Sequence, residues 1–140
     1  MMKTTTRSFT TVVTVITMLM VAEAVTFLLA ALLHVGIPLG FSEPRIIPAA
    51  IVEGLCGLLL AVSTYAVVAR TTWAWGAALA AHLVAVAGVL LGIIALALGG
   101  GPSTVANTIY HRVILGVLVV VLVGLSTPAA RAALGHRTWA

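Results

Sequence analysis

Apolar positions fill almost the whole chain in four long runs, about residues 11–33, 48–69, 73–98 and 105–125. At ~1.5 Å rise per residue, each run is long enough to cross a ~30 Å hydrocarbon core as one helix. Glycine and proline punctuate the pattern. Gly36-Ile37-Pro38-Leu39-Gly40-Phe41-Ser42-Glu43-Pro44-Arg45 ends the first run, Arg70-Thr71-Thr72 the second, and Gly99-Gly100-Gly101-Pro102-Ser103 the third. Trp73 and Trp75 open the third run as interfacial aromatics, and Pro128, Arg131 and Arg137 begin a short polar tail. Lys3, Arg7 and the small-x-small triplet Ala22-Glu23-Ala24 also invite a signal-peptide reading. The run continues apolar to Leu33, which favours a membrane span.

Each run is interrupted by an ionisable residue: Glu23, Glu53, His82 and His111. A charge at the bilayer centre costs about 2.5–3.5 kcal/mol even on insertion scales, so such residues face a protein interior and mark a site or pathway. Helical spacing gathers each into a stripe with small or polar neighbours: Glu23, Thr26, Ala30 and His34; Glu53, Cys56, Gly57 and Thr64; Trp75, Ala78, His82 and Ala85; Thr104, Asn107, Thr108 and His111. That mixture is expected of inward, closely packed faces. Gly88 and Gly92 form a separate G-x-x-x-G pair that would seat a neighbouring helix. Counting residues from the outer helix ends predicts a descending staircase, with His34 at the boundary, Glu53 and His111 about one to two turns in, Glu23 near the middle and His82 deeper. His34, Glu53, Asn107 and His111 are the candidates for an outer cluster.

Composition narrows the class. With 62% hydrophobic and 7% charged residues and a mean hydropathy of +1.25, the chain reads as an integral membrane protein in contact with lipid. The net charge of +4 and pI near 10.3 come from scattered residues that form no basic stripe for nucleic acid. Lys3, Arg7, Arg70, Arg131 and Arg137 on one side outweigh Arg45 and Arg112 on the other, which predicts two cytoplasmic termini in a cell-membrane protein. The expected fold is all-α: one transmembrane domain over residues 1–140, an up-down four-helix bundle with short loops and no appended soluble module. The single cysteine, Cys56, excludes an internal disulfide and multi-cysteine metal motifs.

Several chemistries fit the Glu/His layer. Glutamate and histidine can simply bond across helices as a packing device. Two histidines and one glutamate make an open ligand set for zinc or another first-row metal, although no Glu-x-x-His pair supports it; for haem, only His34 with His111 is geometrically suitable. A proton or small-ligand pathway fits the staircase, as does a quinone pocket in which a protonatable side chain beside apolar walls bonds a carbonyl. The chain has no aspartate, no nucleophile–base–orienter set and no P-loop lysine after Gly99–Gly101, which argues against an independent hydrolase or ATPase. Whether it is an enzyme stays open. Four helices enclose little space, so the chain is expected to act as a homo-oligomer or as a subunit of a membrane complex.

Ala50-Ile51-Val52-Glu53-Gly54-Leu55-Cys56-Gly57-Leu58-Leu59-Leu60 resembles the second-helix segment of the DoxX-like family, in which a glutamate is followed four residues later by glycine and then leucines. The resemblance covers about a dozen residues and, loosely, the four-span layout. It implies a small four-helix membrane protein, a link to quinone-dependent or other membrane redox assemblies, and Glu53 as the residue that carries over.

Overall fold

The computed structural model describes residues 3–102 and 104–135 and is all-helical over them. It contains α1 (Lys3–Val35), α2 (Ile47–Val68), α3 (Ala74–Ala97), α4 (Val105–Ser126) and the short α5 (Pro128–Leu134). Four segments, Thr11–Val35, Ile47–Val68, Ala74–Ala97 and Val105–Ser126, are long and apolar enough to cross a membrane, which suggests a multi-pass membrane protein in contact with lipid. The helices begin and end within a few residues of the apolar runs, except that α1 reaches back to Lys3. Ala22-Glu23-Ala24 lies inside that unbroken helix.

The segment after α4 is a correction to the sequence reading. It is a helix packed on the bundle, not a polar tail. Pro128 supplies a preset φ in the first turn, and Thr127 Oγ1 caps it by accepting from the Ala130 amide at 3.2 Å. Ala130 and Leu134, four apart and so on one face, are buried. Arg131 stacks its guanidinium 4.7 Å from the centroid of the Trp75 ring, whose Nε1 donates to Leu125 O at 2.9 Å. Arg137 lies outside the described residues.

Small residues set how closely the long helices approach. A Cβ on Gly57 would fall 2.9 Å from Leu28 Cγ and 3.2 Å from the Leu28 backbone nitrogen, so α2 touches α1 there almost backbone to side chain. The Gly88 and Gly92 pair of α3 seats two different helices. Gly88 meets Val52 and Cys56 of α2, while Gly92 faces the His111 imidazole of α4. Ala24, Phe27, Cys56, Leu60, Ala85 and Leu118 share one buried cluster. Ile16, Met20, Val67, Ala74 and Leu125 share a second, which α5 closes with Ala130 and Leu134. Larger aliphatic residues such as Leu55, Leu58, Leu91, Val105 and Val123 point outward. Lipid tails solvate such side chains as well as a core does, so tight packing falls to the small residues inside.

Bonds outside the regular helical ladder hold several helix ends, among them the end of α2 and the start of α4. At the end of α2, the Arg70 amide donates to Val67 O at 3.2 Å and the Thr71 amide to Ala66 O at 3.0 Å, the two bonds of a Schellman motif. Its left-handed position, normally glycine, is Arg70 with φ of 53°. That conformation costs a side-chain-bearing residue about 1–2 kcal/mol. At the start of α4, Thr104 Oγ1 accepts from the Asn107 amide at 3.0 Å and donates to Glu43 Oε2 at 2.7 Å, which ties the 36–46 loop to the helix cap.

Candidate functional site

The site is built around His34 and Glu53. Their sequence positions place His34 at the last turn of α1 and Glu53 nearly two turns into α2, yet Nδ1 and Oε2 lie 2.7 Å apart and both side chains are buried. Cα–Cβ bonds lean toward a helix's own N-terminus, so His34 leans away from the connecting loop and Glu53 leans toward it. The Ile46 amide, donating to His34 O at 3.0 Å, holds the two helix ends in this register.

Beside this pair lies a cleft of about 280 Å³ between α1, α4 and the 36–46 loop. Thr26, Leu29, Ala30, Leu33 and His34 line it from α1, Leu39, Phe41 and Glu43 from the loop, and Ala106, Asn107 and Tyr110 from α4. Its size is at the small end of ligand sites, which run from ~300 to ~1,000 Å³, and its lining is mostly apolar. Three of its wall residues carry buried polar atoms with no hydrogen-bond partner among the described residues: His34 Nε2, Asn107 Oδ1 and the Tyr110 hydroxyl. Glu53 Oε1, behind His34, is likewise unpartnered. Buried polar groups are nearly always bonded, so this cluster of exceptions in the wall of one cleft marks it as the candidate site. Tyr110 is held edge-on by Phe27 at 6.5 Å and by the His111 ring at 5.3 Å, which fixes its hydroxyl end in the wall.

The pair's chemistry follows from its burial. An unpaired charge here would be costly, whereas one proton shared by the pair leaves it neutral overall. That proton sits on the Glu53 carboxyl, which donates to Nδ1, or on the imidazole, which donates back. Both arrangements leave an N–H at Nε2, so the free edge of His34 is a donor suited to a carbonyl oxygen.

Glu23 and His82 form a second pair, with His82 Nε2 2.8 Å from Glu23 Oε2 and both side chains fully enclosed. His82 Nδ1 must carry hydrogen, because its other partner is the Ala78 carbonyl at 2.6 Å. Residue counting separated Glu23 from His82 in depth, but their side chains meet directly. The descending staircase is therefore corrected to paired levels. His111 is buried in α4 with Nδ1 donating to Asn107 O at 2.8 Å and its Nε2 edge against Gly92. The outer set thus divides: His34 and Glu53 bond to each other, Asn107 shares the cleft wall with His34, and His111 supports Tyr110 from behind. No group of three or more His, Cys, Asp or Glu side chains placed to hold a metal ion occurs among the described residues.

Sequence reasoning missed Tyr110 and the loop residues Phe41 and Glu43. Tyr110 adjoins His111 and lies three residues beyond Asn107, so helical spacing could have added it to the α4 stripe. Only tertiary structure could bring Phe41 and Glu43 over α4. Compared with protein-family models, curated proteins and solved structures, the chain matches none of them.

Proposed function

We propose that this chain is a cell-membrane subunit or partner of a quinone-linked redox system, with the α1–α4 cleft taking the head group of a quinone-like ligand. The observation that carries the reading is the coincidence of an apolar cleft with unpartnered atoms on His34, Asn107 and Tyr110. Apolar walls suit a ring, and an N–H donor backed by a carboxyl suits its carbonyl. The DoxX-like resemblance at Glu53 points the same way. In this reading the four long helices run up and down with antiparallel neighbours, and both termini are cytoplasmic. The cleft opens toward the outer half of the bilayer. Lys3, Arg7, Arg70, Arg131 and Arg137, against Arg45 and Arg112, support that orientation by the positive-inside rule. Of these, Lys3, Arg7 and Arg137 have side chains outside those described and enter by sequence alone. The electron-transfer partner would be another subunit, or the chain would work as an oligomer.

The test is the protein purified in mild detergent, with bound quinone extracted and identified by absorbance and mass, followed by titration with a short-chain quinone. The wild type is expected to hold quinone, His34→Ala to lose it, and Glu53→Gln to hold it less tightly. A wild type that takes up none would overturn the reading in favour of a structural or interaction subunit whose polar pairs serve packing.

A further inference from the structure

A different surface, at the opposite end of the bundle, points to a second ligand. The chain has three side-chain carboxylates and seven Lys or Arg residues. All three carboxylates are engaged elsewhere: Glu23 with His82, Glu53 with His34 and Glu43 with Thr104. Arg70 therefore has no acidic partner among the described residues. Its backbone adopts the left-handed conformation at the Schellman position where glycine would be free of strain. Strain retained by a particular side chain points to a use for that side chain.

Arg70 borders a groove of about 450 Å³ between α1 and α2, lined mostly by Val13, Met18, Val21, Val67 and Val68, with Thr14 and Thr17 on the α1 side. Trp73, exposed three residues on, is the kind of residue that sits at head-group level. A largely apolar groove on a lipid-facing surface, bordered by an arginine with no acidic partner among the described residues, suits the shape and charge of a bound phospholipid. The acyl chain fills the groove and the phosphate takes the guanidinium fork. We propose that the α1–α2 groove and Arg70 form a binding site for an anionic phospholipid.

The experiment uses the full chain in mild detergent, with native mass spectrometry after addition of phosphatidylglycerol or phosphatidylcholine. Thermal unfolding is followed in parallel. The wild type should retain phosphatidylglycerol preferentially and unfold at higher temperature in its presence, and inorganic phosphate should not reproduce that shift. Arg70→Gly relieves the strained turn, so the lipid-free protein should unfold at a higher temperature while retention falls about fivefold. Arg70→Lys should retain part of the selectivity, and Met18→Trp, which fills the groove and leaves the charge, should also reduce retention. Undiminished phosphatidylglycerol retention by Arg70→Gly, or equal retention of the two lipids by the wild type, would overturn the site. So would stabilisation by inorganic phosphate alone.

Discussion

The two Glu–His pairs use the same residue types at nearly the same distance, 2.7 Å for His34–Glu53 and 2.8 Å for His82–Glu23, but they differ in what surrounds them. In the inner pair both ring nitrogens are engaged, one by carboxyl and one by the Ala78 carbonyl, and Ala78 and Ala85 on the same face of α3 are fully buried. Only Glu23 Oε1 of that pair is left without a partner among the described residues. The outer pair leaves one ring nitrogen and one carboxyl oxygen unpartnered, and His34 forms part of a cleft wall. Saturation, more than residue identity, separates a packing device from a binding group. The inner pair has the character of a cross-helix clamp, whereas the outer one keeps hydrogen-bonding capacity unused among the described residues.

The largest expected difference is in stability. His82→Leu strands Glu23 in the enclosed core, and losing one partner of a buried pair leaves about 2–3 kcal/mol uncompensated. His34→Leu also strands a buried carboxyl, Glu53, but next to the cleft wall at one end of the bundle, and should cost less, about 1–2 kcal/mol. Thermal or SDS unfolding of the two variants measures the contrast. Equal losses would mean that the pairs are energetically alike.

Next comes the tie between the loop and α4. Thr104→Ala removes both the cap of the Asn107 amide and the bond to Glu43, a loss of about 1 kcal/mol. Because Glu43 and Asn107 both line the cleft, quinone retention should weaken as well. The inner pair is far along the bundle, so a His82→Leu, Thr104→Ala double variant should show additive losses in unfolding free energy. Coupling between them would show that the two levels are not independent.

Legibility in the sequence divides along the same line. Four apolar runs and their breaks were plain, because each span must bond its own backbone within lipid and therefore be helical. The inward facing of Glu23, Glu53, His82 and His111 was readable from spacing with small residues, and all four are buried. Pairing was not, since one-dimensional counting fixes the Cα level but not the direction in which a long side chain leans. The α5 segment was hidden by its arginine and proline, although Ala130 and Leu134 four apart were the signal of a buried face. The cleft could not be read, because it depends on the 36–46 loop folding over α4 through Glu43 and Thr104, residues 61 apart in sequence.

A finer distinction concerns the inner proton. With Nδ1–H of His82 committed to Ala78, the bond to Glu23 is made either by a carboxyl O–H or by an imidazolium N–H. Glu23→Gln can imitate only the first, its amide donating to Nε2, whereas Glu23→Leu imitates neither. If the proton resides on Glu23, the glutamine variant should lose under about 1 kcal/mol, clearly less than the leucine variant. Equal destabilisation would place the proton on His82.

The smallest effect on stability, and the sharpest on function, is expected from Glu53→Gln. Glutamine keeps the length of the side chain, and its amide can donate to His34 Nδ1, so unfolding should shift by only a few tenths of a kcal/mol. What it removes is the exchangeable proton. Glutamine holds the imidazole neutral with hydrogen fixed at Nε2, a donor that can still bond a carbonyl but cannot deliver or collect a proton through Glu53. His34→Ala removes the donor itself. If the cleft binds a quinone-like ring and the pair also exchanges a proton with it, Glu53→Gln should impair turnover with the partner system more than its unfolding suggests. His34→Ala should abolish binding. A Glu53→Gln protein matching the wild type in both quinone retention and turnover would remove any titrating role for Glu53 and leave the outer pair, like the inner one, as packing.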